Sequence, residues 1–229
     1  MAWDDAIDAP RPGVMVCHAW AGRGSHEEDT AKKLAEMGYV GFAADVYGKG
    51  VLGQSIEENS KLMTPFMEDR GMLQNRLRRA LDSFTAIEYV DSGKVAVMGY
   101  CFGGLCAIDM ARTNASVQGV AAFHAVIKPP ALDIEDPIVP RVIAFQGYED
   151  PMADADAQRA FADEMTARKA DWQLHLYGGV KHAFTNPGAK NEELGLVHNA
   201  VAAKRAWKSL EIYLSEVLQG VGGGSFHHP

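Results

Sequence analysis

Cysteine is scarce in this chain. Cys17, Cys101 and Cys106 are an odd set of three with no C-x-x-C spacing, which excludes a disulfide framework and a thiolate zinc site. A basic block is also missing. The net charge is −8, from 30 acidic against 22 basic residues. The densest basic cluster, Arg76, Arg78 and Arg79, lies among helically spaced apolar residues and reads as a solvated helix face, so no nucleic-acid partner is expected. No apolar run approaches the roughly 20 residues that span a bilayer, so no membrane partner is expected either. The first residues, Met1 to Asp8, lack the basic start and apolar core of a signal peptide, which predicts a cytoplasmic protein. His227 and His228 fall in a glycine-rich stretch, 220–229, that reads as a loose tail, and no metal site is assigned to them.

What remains is an ordinary globular composition, 47% apolar and 23% charged, over a length that one large α/β domain fills; a single domain is expected over 1–219. Val14–Trp20, Tyr39–Val46, Val95–Gly99, Gly119–His124, Val142–Gly147 and Trp172–Tyr177 are apolar, β-prone runs. Between them lie helical patterns: Glu27–Met37, a stretch from Gly71 with Leu73, Leu77, Leu81, Phe84 and Ile87 in phase, Asp154–Ala170, and a last one from about Asn191 to Leu218. Ser92-Gly93 reads as a turn, and residues 51–69 as a short helix and loop over the sheet edge. Lys128-Pro129-Pro130-Ala131 is a rigid connection. Strands that alternate with helices, and are continuously apolar instead of alternating in and out, predict a mainly parallel sheet covered on both faces.

One stretch stands out within this pattern. Gly99-Tyr100-Cys101-Phe102-Gly103-Gly104 joins an apolar strand to a helix, with glycine two residues before and two after Cys101. That is the spacing of a nucleophile elbow, with cysteine in the place of serine. Free cysteine is more often a small core residue, so the pentapeptide alone leaves both readings open. Ligands of such sheets bind beyond the carboxyl ends of the strands. One of those ends delivers Gly147-Tyr148-Glu149-Asp150-Pro151 and the next Gly178-Gly179-Val180-Lys181-His182. Asp150 could merely start a turn and His182 could be a loop histidine. Nucleophile, acid and histidine at successive strand ends, in that order, nevertheless match an α/β-hydrolase triad. The amide after the nucleophile, that of Phe102, is expected to be one oxyanion donor.

The chain resembles the dienelactone hydrolase family of α/β-hydrolases from about Val14 to Leu218. The resemblance is carried by the elbow, by Gly147 to Pro151, by His182-Ala183-Phe184 and by Asp45-Val46-Tyr47-Gly48. It implies that Cys101 attacks an ester or lactone carbonyl without metal or organic cofactor, that His182 is its base, and that Asp150 orients His182. It also implies a second oxyanion donor in the amide of Trp20. His18, Trp20, Phe66, Phe123 and His124 are the residues expected to shape the substrate pocket, roofed by residues 51–69 and 125–130. The chain departs from the family's pattern at Ala19, where a glutamate precedes the oxyanion residue, and at Asn186, where an arginine follows the histidine by four. No arginine lies near Asn59 to Lys61, where a second is expected. These departures point to a neutral or differently charged ester in place of the anionic dienelactone. Two other readings are weighed against this one: a non-catalytic ligand-binding member of the fold, and a thiol sensor pairing Cys101 with Cys106. Monomer and homodimer both stay open.

Overall fold

The computed structural model describes residues 1–3, 9–129 and 135–220; the tail beyond Gly220 and Pro130-Ala131 fall outside them. Six apolar runs form one sheet: β1 (Arg11–Cys17), β2 (Val40–Ala44), β3 (Val90–Tyr100), β4 (Gly119–Phe123), β5 (Arg141–Gly147) and β6 (Trp172–Tyr177). Their order is β2-β1-β3-β4-β5-β6, and every neighbouring pair is parallel. All six carboxyl ends therefore point the same way, toward one rim of the sheet.

Strand alternation sends residues to two cores. Met15, Cys17, Val95 and Val97 pack with helices α3 (Arg70–Thr85), α4 (Phe102–Arg112) and α5 (Ala155–Ala167) through Leu73, Leu77, Leu105, Ile108, Phe161 and Met165. Val14, Val16, Ala96, Met98 and Tyr100 face α1 (Ser25–Glu36) and α6 (Ala200–Gln219) through Leu34, Ala206, Leu210 and Leu214. Helices thus cover both faces, as the unbroken apolar strands require.

Three expectations about elements are corrected. Ser92-Gly93 is not a turn before the strand but a bulge inside it: β1 pairs Pro12 with Asp91 and then Gly13 with Val95, so three residues of β3 loop out while both ends stay in register. Residues 51–69 contain more helix than expected, since α2 spans Ile56–Glu68. Its Pro65 lies inside the helix, and Ser55 caps it by accepting from the Glu58 amide at 3.1 Å. The last helix begins at Ala200, not Asn191. Residues 190–197 instead form a hairpin of β7 (Lys190–Asn191) and β8 (Leu196–Val197). Its turn is held by the Leu194 amide donating to Asn191 Oδ1 and by Gly195 at φ 67°, a conformation that favours glycine. Asn199 then caps α6 through the Ala202 amide.

A buried ionic cluster ties α3, α4 and α5 together. Asp109 on α4 accepts from Arg70 Nε and Nη2, from Arg112 Nη1 and from Gln74 Nε2. Arg112 also donates to both carboxylate oxygens of Glu164 and to the carbonyls of Ile127 and Lys128. Asp109 and Arg112 are fully buried. The segment after β4 is thereby anchored to the helix that carries Cys101 at its start.

Candidate active site

The elbow follows from two close approaches that only glycine allows. A side-chain carbon on Gly99 would collide with the Gly103 backbone, and one on Gly103 with the carbonyls of Cys17 and His18. The chain can therefore reverse tightly between β3 and α4, with Cys101 at its tip in a strained conformation, φ 55° and ψ −114°. A non-glycine residue at positive φ costs free energy that the surrounding structure must supply, and such residues cluster at functional sites. The Cys101 amide donates to Phe123 O at 3.0 Å. Phe102 is the first residue of α4, so its N–H has no acceptor within the helix.

The loop after β1 runs beside the elbow. Glu27 of α1, itself buried, accepts from the Ala19 amide at 3.3 Å and from the Gly24 amide at 3.0 Å. One carboxylate thus clamps both ends of the loop that carries Trp20, and the Tyr47 hydroxyl donates to the Trp20 carbonyl at 3.0 Å. His18 is fully buried. Burial lowers its pKa below the usual range, and the neutral ring accepts from the Val46 amide at Nε2 and donates from Nδ1 to the Ala19 carbonyl.

The turn after β5 places Asp150 against His182, with Oδ2 2.7 Å from Nδ1; Oδ1 accepts from the Met152 amide at 2.8 Å. Both side chains are buried, 1% exposed. Ala183 at φ 58° turns the chain after His182, and the Val197 amide of the hairpin donates to the His182 carbonyl. Burial works against a charge on His182. Cys101, through its charge when ionised and a hydrogen bond, and Asp150 outweigh it and push the imidazole up to about 10. Its Nε2 is buried, and Cys101 is the group it meets; among the described residues it has no other partner.

A cavity of about 330 Å³ opens over Cys101 and His182. Trp20 and His124, both expected at the pocket, line it, and so do Ala19 and Asn186, the two points of departure. His124 stands edge-on to His182 with ring centroids 5.0 Å apart and donates to or accepts from the Thr185 hydroxyl at 2.7 Å. Its pKa is driven well down by burial and by the neighbouring His182 and His26. Asp150 sits behind His182, off the cavity wall. Three expected lining residues are placed elsewhere. His18 lies beneath the loop, and Phe66 stacks on Tyr47 at 5.7 Å in the core. Phe123 pairs in register with Tyr100 and shares its face, the one turned to α1 and α6; it lines the neighbouring cavity between those helices and not this one. Residues 51–69 and 125–130 do supply roof residues, Met63 and Val126. Met152 and Leu196 complete the apolar wall. Leu196 could not be found from sequence because the hairpin that presents it was read as helix.

Among the described residues no group of three or more His, Cys, Asp or Glu side chains is placed to hold a metal ion, and no helix is long and apolar enough to cross a membrane. Cys106 is buried on α4, where burial raises its thiol well above the ordinary value, so it is a core residue and a poor partner for exchange.

A parallel sheet flanked by helices on both faces, with a strained residue at the strand-to-helix turn and a His-Asp pair at the following strand ends, defines an α/β-hydrolase. The family model described as the dienelactone hydrolase family matches residues 4–218, and the chain belongs to that family, a group of hydrolases acting on esters and lactones. It is 29% identical over 202 residues to a putative carboxymethylenebutenolidase of Aquifex aeolicus, covering 86% of this chain and 84% of that one. A dienelactone hydrolase-like promiscuous phosphotriesterase, P91, from metagenomic libraries superposes with a TM-score of 0.89 at 32% identity over 94% of this chain and 90% of its own. Thermogutta terrifontis esterase 2, 17–18% identical with TM-scores near 0.65, shares the fold.

Proposed function

We propose that the protein hydrolyses carboxylic esters or lactones through an acyl-cysteine intermediate. The observation that carries this reading is the hydrogen-bonded Asp150–His182 pair, with His182 lining the same cavity as Cys101. The thiolate, held by the imidazolium of His182, attacks the carbonyl carbon. The carbonyl oxygen becomes an oxyanion and takes hydrogen bonds from the amides of Phe102 and Trp20. Collapse expels the alkoxide, which receives the His182 proton and leaves as the alcohol. Water then gives a proton to His182, attacks the thioester and releases the acid, while Cys101 returns as the thiolate. Asp150 keeps the imidazole in the required tautomer throughout. Preorganised oxyanion donors of this kind are worth about 3–4 kcal/mol each in the barrier.

Ala19 and Asn186 put no charge at the two positions where the family carries a glutamate and an arginine, which disfavours the dienelactone carboxylate there; Lys190 is the basic side chain that lines the cavity. The likeness to a promiscuous phosphotriesterase makes neutral phosphotriesters the second class to assay. Three free thiols fit a reducing compartment, the cytoplasm, and one domain over 1–219 fits the single continuous sheet.

The test is hydrolysis of short-chain p-nitrophenyl esters by the wild type beside Cys101→Ala, His182→Ala and Cys106→Ala. Activity that vanishes in the first two and persists in the third supports the proposal. A wild type no faster than Cys101→Ala on any ester makes this a non-catalytic ligand-binding member of the fold.

A further inference from the structure

A second, larger cavity of about 860 Å³ lies between α1 and α6, on the other side of the strand ends. It meets the reaction cavity along His26, Tyr100 and Asn186, which line both. We propose that this cleft binds the far end of the substrate, and that the substrate is an elongated ester with an apolar middle and an anionic terminus. The proposal rests on the hydrolase reading for the ester end.

Two features of the cleft specify that chemistry. Its floor is apolar and aromatic: Tyr100, Phe123, Ala203 and Trp207. Its rim is basic in a chain of net charge −8, with Lys32, Lys33, Lys204 and Lys208 set against Asp29 and Glu36. Two of those lysines are already engaged, Lys32 by Asp29 at 2.9 Å and Lys208 by Glu211 at 2.6 Å. Lys33 lies over the Trp207 ring, 5.5 Å from its centroid, and Lys204 makes no ion pair among the described residues. Lys33 on α1 and Lys204 on α6 thus flank the aromatic floor with charge to spare. Two buried ring nitrogens lining the cleft, His26 Nε2 and His198 Nδ1, also lack partners, and a buried polar atom without a partner calls for one. The N-terminal end of α6, which enters the wall at Ala200, adds a favourable field for an anion. Asn186 carries no charge where the two cavities meet, Lys190 is, among the described residues, the one lysine lining the reaction cavity, and the outer cleft adds four.

The decisive comparison is between mono-p-nitrophenyl octanedioate and p-nitrophenyl octanoate, esters of equal chain length that differ in a terminal carboxylate. The wild type should favour the half-ester in kcat/KM, and Lys33→Ala/Lys204→Ala should lower that preference by about tenfold, the effect of two partly exposed charges. Preference for octanoate in the wild type, or a half-ester preference that survives in the double variant, overturns the proposal. A binding arm separates this from failure of the hydrolase reading. Octyl phosphate should change Trp207 fluorescence saturably, with Trp207→Phe as the blank, and the double variant should bind it about tenfold more weakly. If no ester is hydrolysed, that titration decides alone: no saturable change, or equal affinity in the double variant, rejects the cleft as an anion site.

Discussion

Two buried carboxylates in this molecule are each held by basic partners, and they differ in what they leave open. Asp109 accepts from Arg70, Arg112 and Gln74, and Arg112 is in turn saturated by Glu164 and two carbonyls. Every charge in that cluster is met within it. Asp150 accepts from one amide and from His182, which lines the reaction cavity and whose far nitrogen meets only Cys101 among the described residues. Both arrangements bury charge at a cost. The first closes on itself and holds α3, α4 and α5 together; the second ends in a group that can still move a proton. A buried ion cluster is therefore read as structural or reactive by whether its last member is satisfied.

That contrast can be broken from either side. Cys101→Ala should cut ester hydrolysis by about 10³-fold or more while leaving thermal denaturation close to wild type; His182→Ala should cut it as far but also lower the denaturation temperature, because buried Asp150 then keeps only the Met152 amide. Asp109→Ala should do the reverse of Cys101→Ala. Removing one partner of a buried ion cluster costs about 3–5 kcal/mol, read as a large fall in the urea midpoint, with kcat/KM of whatever folds kept within severalfold.

Asp150→Asn sharpens the comparison through pH. The alkaline limb of kcat/KM in the wild type should fall near pH 10, where His182 loses its proton, and loss of the Asp150 carboxylate should move that limb to lower pH. The histidines also set opposite edges on stability. His182 is raised, so its contribution is complete below the usual imidazole value of 6.5 and is lost as pH rises through about 10. His18 and His124 are lowered, so the neutral rings contribute fully above 6.5, and that contribution is lost as pH falls below it. Thermal stability should therefore peak between these limits and fall on both sides, the acid fall persisting in His182→Ala. Cys106→Ala gives the smallest effect: a buried methyl-sized deletion of about 1 kcal/mol, with no change in the pH profile of hydrolysis.

Much of this was legible in the chain. The sheet is written in continuous apolar runs, and Gly99, Cys101 and Gly103 state the elbow because the backbone contact they allow is local. Asp150 and His182 were found by position at strand ends, which chain order reveals. The pocket wall was harder. Phe66 and Phe123 are large, apolar and near the right elements, yet helix rotation turns Phe66 into a core and strand parity turns Phe123 to the cleft between α1 and α6, and neither can be counted from sequence without the register. The bonds between helices in the Asp109 cluster join residues 35 to 52 positions apart, with no local signal beyond a charge on an apolar helix face. Residues 190–197 were lost to a helical pattern because Gly195, an isolated glycine, did not outweigh the neighbouring periodicity.

The seat of Gly103 on the carbonyls of Cys17 and His18 reaches beyond the turn it permits. It sets the spacing between the two chain segments that carry the amides of Phe102 and Trp20, so these amides are gauged from one common reference. The geometry that would receive a developing negative charge is thus a property of the joint between two strands, and it would be inherited or lost as one part.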